Sequence, residues 1–280
     1  GESYKLINPK TIKIMHTISH IDKDLRAPYF TDIQKQILDR FYRFIYSDEN
    51  NQVYLGKDAR DPDRVDLISF DSKPKKARDS VTIKLLHKSE NVAEDIFDRV
   101  GIRFVTKNRF DAIRIVKFLK DRYVLMPANI KPSRSKNTLV DTEAFQGQVK
   151  SVLSEVDAGK LPASSVYSKI SEFCEGPEAN PRKDENKDNP HTSQHYHALH
   201  FTCRQLIKIR NPMYDDVREL KNAIKRTAGD GSNSQELGTI IERMDLRNIQ
   251  KEIRFFYPFE VQIYDEKSHL ENMAGRSSHT

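Results

Sequence analysis

Tryptophan is absent from this chain of 280 residues, and cysteine occurs only twice, at Cys174 and Cys203. Two cysteines cannot build a disulfide framework, so we expect a protein of the reducing cytoplasm. No apolar run approaches the roughly 18 residues of a membrane span, so we expect no membrane partner. Glycine-rich phosphate loops of the Walker and Rossmann types are also missing, which excludes two common ways of binding a nucleotide.

Charged residues, by contrast, are abundant. They make up 31% of the chain, against 37% hydrophobic residues, and the formal net charge is +6. The isoelectric point calculated from the sequence is about 9.1. Such a basic balance fits an anionic ligand such as a nucleotide or RNA, and it fits a basic but otherwise ordinary surface equally well.

Hydrophobic periodicity divides the chain into two regions. Residues 1–64 are predicted to be a helical accessory region, because apolar side chains recur at helical spacing between Ile33 and Ile45. Residues 65–280 are predicted to form an α/β domain with a mobile loop at 176–190 and a helical insertion at 210–251. Predicted strands lie at 65–70, 102–105, 196–209 and 253–264, predicted helices at 109–124, 140–157 and 163–174, and a loop at 127–137.

Three short segments, far apart in the chain, carry polar groups in predicted strands or at the entry to one: Asp98 in FDRVGIRFV, Tyr196 and His200 in QHYHALHF, and Glu260 in FEVQIY. A carboxylate such as Glu260 is costly inside an apolar strand unless a metal, a cation or water lies beside it. Two carboxylates on neighbouring strands, here Asp98 and Glu260, are natural ligands for a divalent cation. Tyr196 and His200 face the same side of a strand, and a tyrosine ring can stack on a nucleobase.

In this order, the segments resemble the synthetase domain of the RelA/SpoT family, the pyrophosphokinases that make (p)ppGpp. Asp98, Gly101 and Arg103 match the family's Asp-x-x-Gly-x-Arg strand. The family's Asn-Gly-Tyr-x-Ser-Leu-His loop, Glu-x-Gln-x-Arg strand and Lys-Ser-x-x-Ser-x-x-x-Lys loop are similar to residues 194–200, 260–264 and 76–84. The resemblance covers about residues 70–280, and by it the chain is identified as a divergent member.

The resemblance implies a fold and a reaction. The fold is expected to be α/β, with a mixed, partly antiparallel five-stranded sheet flanked by helices, as in nucleotidyltransferases. The reaction would transfer pyrophosphate from ATP to the 3′-hydroxyl of a guanosine nucleotide or of an RNA terminus. Asp98 and Glu260 would bind Mg²⁺, and Gln262 would complete the catalytic group. The nucleotide-binding side chains would be Lys76, Arg78, Ser80, Lys84, Arg103, Tyr196 and His200.

Ala77, His195, Ala198 and Tyr264 depart from the family's pattern. His195 replaces a glycine and restricts how closely the backbone approaches a ligand. Tyr264 replaces an arginine and removes a fixed positive charge. We therefore expect slow or absent (p)ppGpp synthesis from free GDP or GTP, with ATP binding retained. Two alternatives stay open: an RNA terminus as acceptor, and a catalytically silent member that binds a nucleotide or RNA as a sensor or scaffold.

Two further sequence features limit the interpretation. His191, His195, His197 and His200 lie within ten residues, but no thiolate or His-Glu-x-x-His pattern accompanies them, so loop histidines are favoured over a zinc site. The chain contains no His-Asp dipeptide. The metal-dependent hydrolase domain of long family members is therefore not expected. The oligomeric state is a separate question, and a homo-oligomer stays open.

Overall fold

The computed structural model describes residues 26–73, 100–181, 197–227, 239 and 249–277. The strands in these ranges are β1 (Ile45–Ser47), β2 (Val53–Leu55), β3 (Val65–Lys73), β4 (Gly101–Thr106), β5 (Ile130–Asn137), β6 (Leu199–Arg210) and β7 (Glu252–Asp265). The α-helices are α1 (Phe30–Tyr42), α2 (Arg109–Asp121), α3 (Thr142–Asp157), α4 (Val166–Glu175), α5 (Pro212–Thr227) and α6 (Glu266–Ser277). None of the helices in these ranges is both long and apolar enough to cross a membrane.

The strands form one mixed sheet in the order β1-β2-β3-β4-β7-β6-β5. Strands β4 and β7 run parallel, and the other neighbouring pairs run antiparallel. The α/β class with a mixed sheet is therefore confirmed. The expected count of five strands is wrong, because the described residues form seven. Strands β1 and β2 have three residues each, too few to show an alternating pattern in the sequence.

Strand β5 corrects a second expectation, the loop at 127–137. Residues 130–137 instead form an edge strand that pairs with β6, with a shift in register between Lys131 and Lys136. Its sequence, IKPSRSKN, contains a proline and no apolar alternation. An edge strand tolerates proline because one row of its backbone donors is unpaired. The segment is extended because β6 supplies hydrogen-bond partners, and its own side chains give no signal of this.

Helix α1 contributes to the core of the sheet. Ile33, Ile37 and Phe41 are fully buried. The ring of Phe41 lies 5.8 Å from that of Phe259 on β7 and 6.2 Å from that of Phe104 on β4. The described part of the predicted accessory region, which also supplies β1 and β2, thus shares one hydrophobic cluster with the strands that follow it.

Helices α3 and α4 form a smaller core against α2, centred on Val152, Ile170 and Cys174. They coincide within a few residues with the helices predicted at 140–157 and 163–174. The side chain of Asp141 caps α3 by accepting hydrogen bonds from two backbone N–H groups of its first turn, at 2.9 and 3.0 Å. Burial raises the pKa of the Cys174 thiol to about 12, so this cysteine stays protonated at neutral pH.

The carboxylate of Asp61 organises the loop between β2 and β3. Its side chain is 2% exposed and accepts hydrogen bonds from the backbone N–H groups of Lys57 at 2.7 Å and Asp63 at 3.0 Å. Nη2 of Arg122, just after α2, lies 3.2 Å from both carboxylate oxygens. Burial alone would raise the pKa of Asp61, but these donors outweigh it and lower the pKa below its ordinary value.

We expect Asp61→Asn to lower the free energy of unfolding by about 1.5–3 kcal/mol at neutral pH, the range for hydrogen bonds to a charged group. A depressed folded-state pKa means that the carboxylate stabilises the fold above its unfolded pKa of about 3.9, and that this contribution disappears as pH falls through the folded value. Urea unfolding at about pH 7 and about pH 3 should therefore show a smaller difference in acid. The exposed substitution Asp157→Asn is the control, and a pH-independent effect of Asp61→Asn would contradict the assignment.

Candidate functional site

Polar side chains from three strands meet on one face of the sheet. Arg103 of β4 pairs with Gln262 of β7, and Gln262 pairs with His200 of β6. Residues directly opposite each other on adjacent strands project from the same face, as do alternate residues along one strand. Arg103, His200, Glu260 and Gln262 therefore share a face, whereas the residues between them on β7 point into the core.

Glu260 is the buried carboxylate of this face, and the residue is 7% exposed. Nε2 of His200 lies 2.6 Å from Oε1 of Glu260. At this distance the two groups form an ion pair when the imidazole is protonated, although Nε2 of His200 has no hydrogen-bond partner among the described residues. The backbone N–H of Glu260 donates to the carbonyl of Val100 at 2.9 Å. An imidazole next to a buried carboxylate offsets part of its desolvation cost and can exchange a proton with it.

Gln262 is oriented by Tyr264, whose buried hydroxyl donates to Oε1 of Gln262 at 2.9 Å. The guanidinium carbon of Arg103 lies 5.9 Å from the centre of the Tyr264 ring. Nε of Arg103 is buried and has no hydrogen-bond partner among the described residues. A buried guanidinium donor without a partner is suited to receive an oxygen of an anionic ligand.

Tyr264→Phe should remove the hydrogen bond to Gln262 and keep the aromatic ring. We expect the free energy of unfolding to fall by about 0.5–1.5 kcal/mol, the usual net value of one hydrogen bond. Urea unfolding measures this change, and Tyr167→Phe, which removes a half-exposed hydroxyl that donates to Asp111 at 3.0 Å, is the comparison. An unchanged midpoint for Tyr264→Phe would show that Gln262 finds another donor.

The structure adds residues that the sequence did not reveal. Thr202 is buried and lies opposite Glu260. Lys136 and Lys131 of β5 lie opposite His200 and Thr202, and so bring two positive charges to the same face. No sequence signal could have found these lysines, because their segment reads as a loop and only the pairing with β6 aligns them with the site.

Several predicted site residues lie outside the described residues: Asp98, Lys76, Arg78, Ser80, Lys84 and Tyr196. The pairing of Asp98 with Glu260 and the stacking role of Tyr196 therefore stay predictions. In the sequence, Asp98 precedes by two positions Val100, the residue whose carbonyl accepts the backbone hydrogen bond of Glu260.

The oxygen atoms of Glu260 and Gln262 are of the kind that Mg²⁺ prefers. Within the described ranges, no three His, Cys, Asp or Glu side chains come together as a metal site. Glu260 supplies one carboxylate, and a hard divalent cation bound by protein commonly takes another. The residues present fit Mg²⁺ in chemistry but need a further carboxylate, for which Asp98 is the predicted source.

Comparison of the chain with protein-family models and with curated proteins finds no match. The class of protein is therefore defined by its fold and its site: an α/β protein with a mixed seven-stranded sheet that carries a buried carboxylate, an imidazole and a guanidinium on one polar face.

Proposed function

We propose that the chain is a divergent pyrophosphokinase of the RelA/SpoT type, which transfers the β,γ-pyrophosphate of ATP to the 3′-hydroxyl of a guanosine nucleotide or an RNA terminus. The observation that supports this most is the buried carboxylate of Glu260, 2.6 Å from His200 on a strand next to the one that carries Arg103. These side chains come from the three separate segments in which the resemblance to the family expects them.

In the proposed reaction, the 3′-oxygen of the acceptor attacks the β-phosphorus of ATP. The new bond joins that oxygen to the β-phosphorus, the bond between the β-phosphorus and the oxygen bridging to the α-phosphorus breaks, and AMP leaves. Glu260 accepts the proton of the acceptor hydroxyl, and His200 lies close enough to take up that proton in turn. Gln262, held by Tyr264, orients the acceptor.

The phosphates of ATP require positive charge around them. Arg103 supplies one guanidinium on the polar face, and Lys131 and Lys136 bring two ammonium groups to the same face. The basic segment of Lys76, Arg78, Ser80 and Lys84 would add further phosphate contacts, and Tyr196 would stack on the acceptor base, as the resemblance implies. Mg²⁺ held by Asp98 and Glu260 would, when bound, neutralise the charge that develops on the phosphates.

Incubation of the purified protein with Mg²⁺, ATP radiolabelled on its γ-phosphate, and GDP, GTP or tRNA tests the proposal. We expect AMP to form and the label to move to the acceptor, slowly for the free nucleotides because His195 and Tyr264 replace a glycine and an arginine. Separation of the products by thin-layer chromatography identifies the acceptor. Absence of both AMP and labelled acceptor with all three would contradict the proposal.

A catalytically silent nucleotide-binding sensor or scaffold is the second candidate. The observation that favours it is the hydrogen bond from Tyr264 to Gln262. This bond engages Oε1 of Gln262, an oxygen that would otherwise be open to a ligand. Calorimetry with a non-hydrolysable ATP analogue separates the two candidates. Binding of the analogue without turnover on any acceptor would identify a sensor.

A further inference from the structure

The pair of strands β6 and β7 continues beyond the strands beside it. Residues of β5 pair with β6 only as far as Cys203, and β4 pairs with β7 only from Glu260 onwards. The remainder, residues 204–210 and 252–259, is a two-stranded extension. Its inner face contacts α1, where Nε2 of Gln205 donates to the carbonyl of Gln36 at 2.9 Å. Its outer face, which we name the basic ribbon, consists of Arg204, Leu206, Lys208, Arg210, Glu252, Arg254, Phe256 and Pro258.

The basic ribbon carries four cations and one carboxylate. Lys208 lies directly opposite Arg254 across the two strands. Like charges at such positions destabilise a sheet, so folding gives no reason for this pair. Arg254 contacts Glu252 and Arg210 contacts Asp215, but such exposed ion pairs contribute little and leave the guanidinium groups accessible. A polyanion lying across the ribbon would attract each of these cations and offset the repulsion between them.

An aromatic ring lies in the middle of these charges. Phe256 is 50% exposed and stands opposite Leu206, which is also exposed. The guanidinium carbon of Arg204 lies 5.9 Å from the centre of the Phe256 ring. Proteins that bind single-stranded nucleic acid combine a track of cations with exposed aromatic rings on which bases stack, and an arginine beside the ring adds to that surface.

The basic ribbon also leads to the candidate site. Arg204 follows Thr202 by two residues on the same face of β6, and Thr202 lies opposite Glu260. Eight residues separate Thr202 from Arg210, which is about 27 Å at 3.4 Å per residue. A nucleic-acid strand bound along the ribbon can therefore place its end beside the carboxylate of Glu260.

We propose that the basic ribbon binds single-stranded RNA with one end of the strand directed at Glu260. The binding rests on the ribbon alone, whereas a role for that RNA as pyrophosphate acceptor rests on the proposed function. A row of cations around one aromatic ring favours RNA over a membrane surface, since interfacial binding to a bilayer uses a broad apolar face and the ribbon has only Leu206, Phe256 and Pro258.

Fluorescence anisotropy of a short labelled oligouridylate, titrated with the full chain, tests the proposal. We expect Arg204→Glu combined with Lys208→Glu to lower the affinity at least about tenfold and to reduce the slope of log affinity against log salt, because phosphate contacts are lost. Lys150→Glu combined with Lys160→Glu changes the net charge equally at exposed positions outside the ribbon. Equal losses in the two double variants, or no loss in the first, would overturn the proposal.

Substitutions of Phe256 test the stacking surface. Phe256→Leu keeps an apolar side chain without a ring and should weaken RNA binding about tenfold, in the lower half of the range for one base stack. Phe256→Tyr keeps the ring and should bind as the wild type does. Equal affinities of the leucine and tyrosine variants would overturn the stacking role. Binding of the wild type to phosphatidylserine vesicles but not to RNA would overturn the proposal as a whole.

A turnover assay separates this proposal from the proposed function. We expect Glu260→Gln to bind the oligouridylate at least as tightly as the wild type, since it removes a negative charge, and to transfer pyrophosphate at least about 10²-fold more slowly. If the wild type binds RNA through the ribbon but transfers no pyrophosphate, the proposed function fails and the ribbon proposal stands. If it transfers pyrophosphate to GDP and binds no RNA, the ribbon proposal fails and the proposed function stands.

Discussion

Replacing Glu260 by glutamine is expected to lower pyrophosphate transfer by about 10²–10⁴-fold, the range that a positioned general base contributes. The substitution keeps the size and shape of the side chain and removes only its charge and basicity. Glu260 is almost fully buried among β4, β6 and β7, and its neighbours on the same face of β7, Pro258 and Gln262, have no carboxylate that could take its place. Its contact with His200 is also weakened, so the imidazole loses its anionic partner.

The measurement is the rate of AMP formation from ATP with the acceptor on which the wild type is most active. Glu155→Gln, the same chemical change at an exposed position of α3, should leave that rate unchanged. Circular dichroism and a urea unfolding midpoint near that of the wild type would show that the variant is folded. Turnover of Glu260→Gln at the wild-type rate would show that the catalytic site does not lie on this face of the sheet.

Phe41→Ala should cost about 3–5 kcal/mol of the free energy of unfolding, the usual range for removing a buried aromatic ring. The ring is fully buried and contacts Phe104 and Phe259 on the two central strands. The cavity left behind would lie between α1 and the strands that carry Arg103 and Glu260. We therefore expect the cavity to make β4 and β7 less rigid, to displace the side chains of the candidate site on the other face of the sheet, and to lower turnover.

Urea unfolding followed by circular dichroism measures the effect. Lys35→Ala, an exposed position of the same helix, is the control and should change the free energy of unfolding by less than about 0.5 kcal/mol. A small effect of Phe41→Ala would support residues 1–64 as a separate accessory region. A large effect would make α1 a required part of the domain, and a chain shortened to begin at residue 65 should then fail to fold.

Part of the candidate site could be predicted from the sequence. Arg103, His200, Glu260 and Gln262 were predicted from the resemblance, and the structure brings them to one face of the sheet. Thr202, Lys131 and Lys136 were not predicted, because their relation to the site depends on which strands are neighbours and in which register. The exposed row of the basic ribbon escaped prediction for the same reason, since the cations on β6 and β7 are about 50 residues apart in the chain.

Features encoded by local patterns could be read directly from the chain. The apolar spacing of Ile33, Ile37 and Phe41 predicts α1, and the alternation around Glu260 and Gln262 predicts β7, because each pattern reports the periodicity of one element. The α/β class follows from the order of such elements. Strand order, the seven-strand count, the extended state of β5 and the burial of α1 against the sheet were set by long-range pairing. Hydrogen bonds and apolar contacts between distant segments select those arrangements, and no single segment carries the information for them.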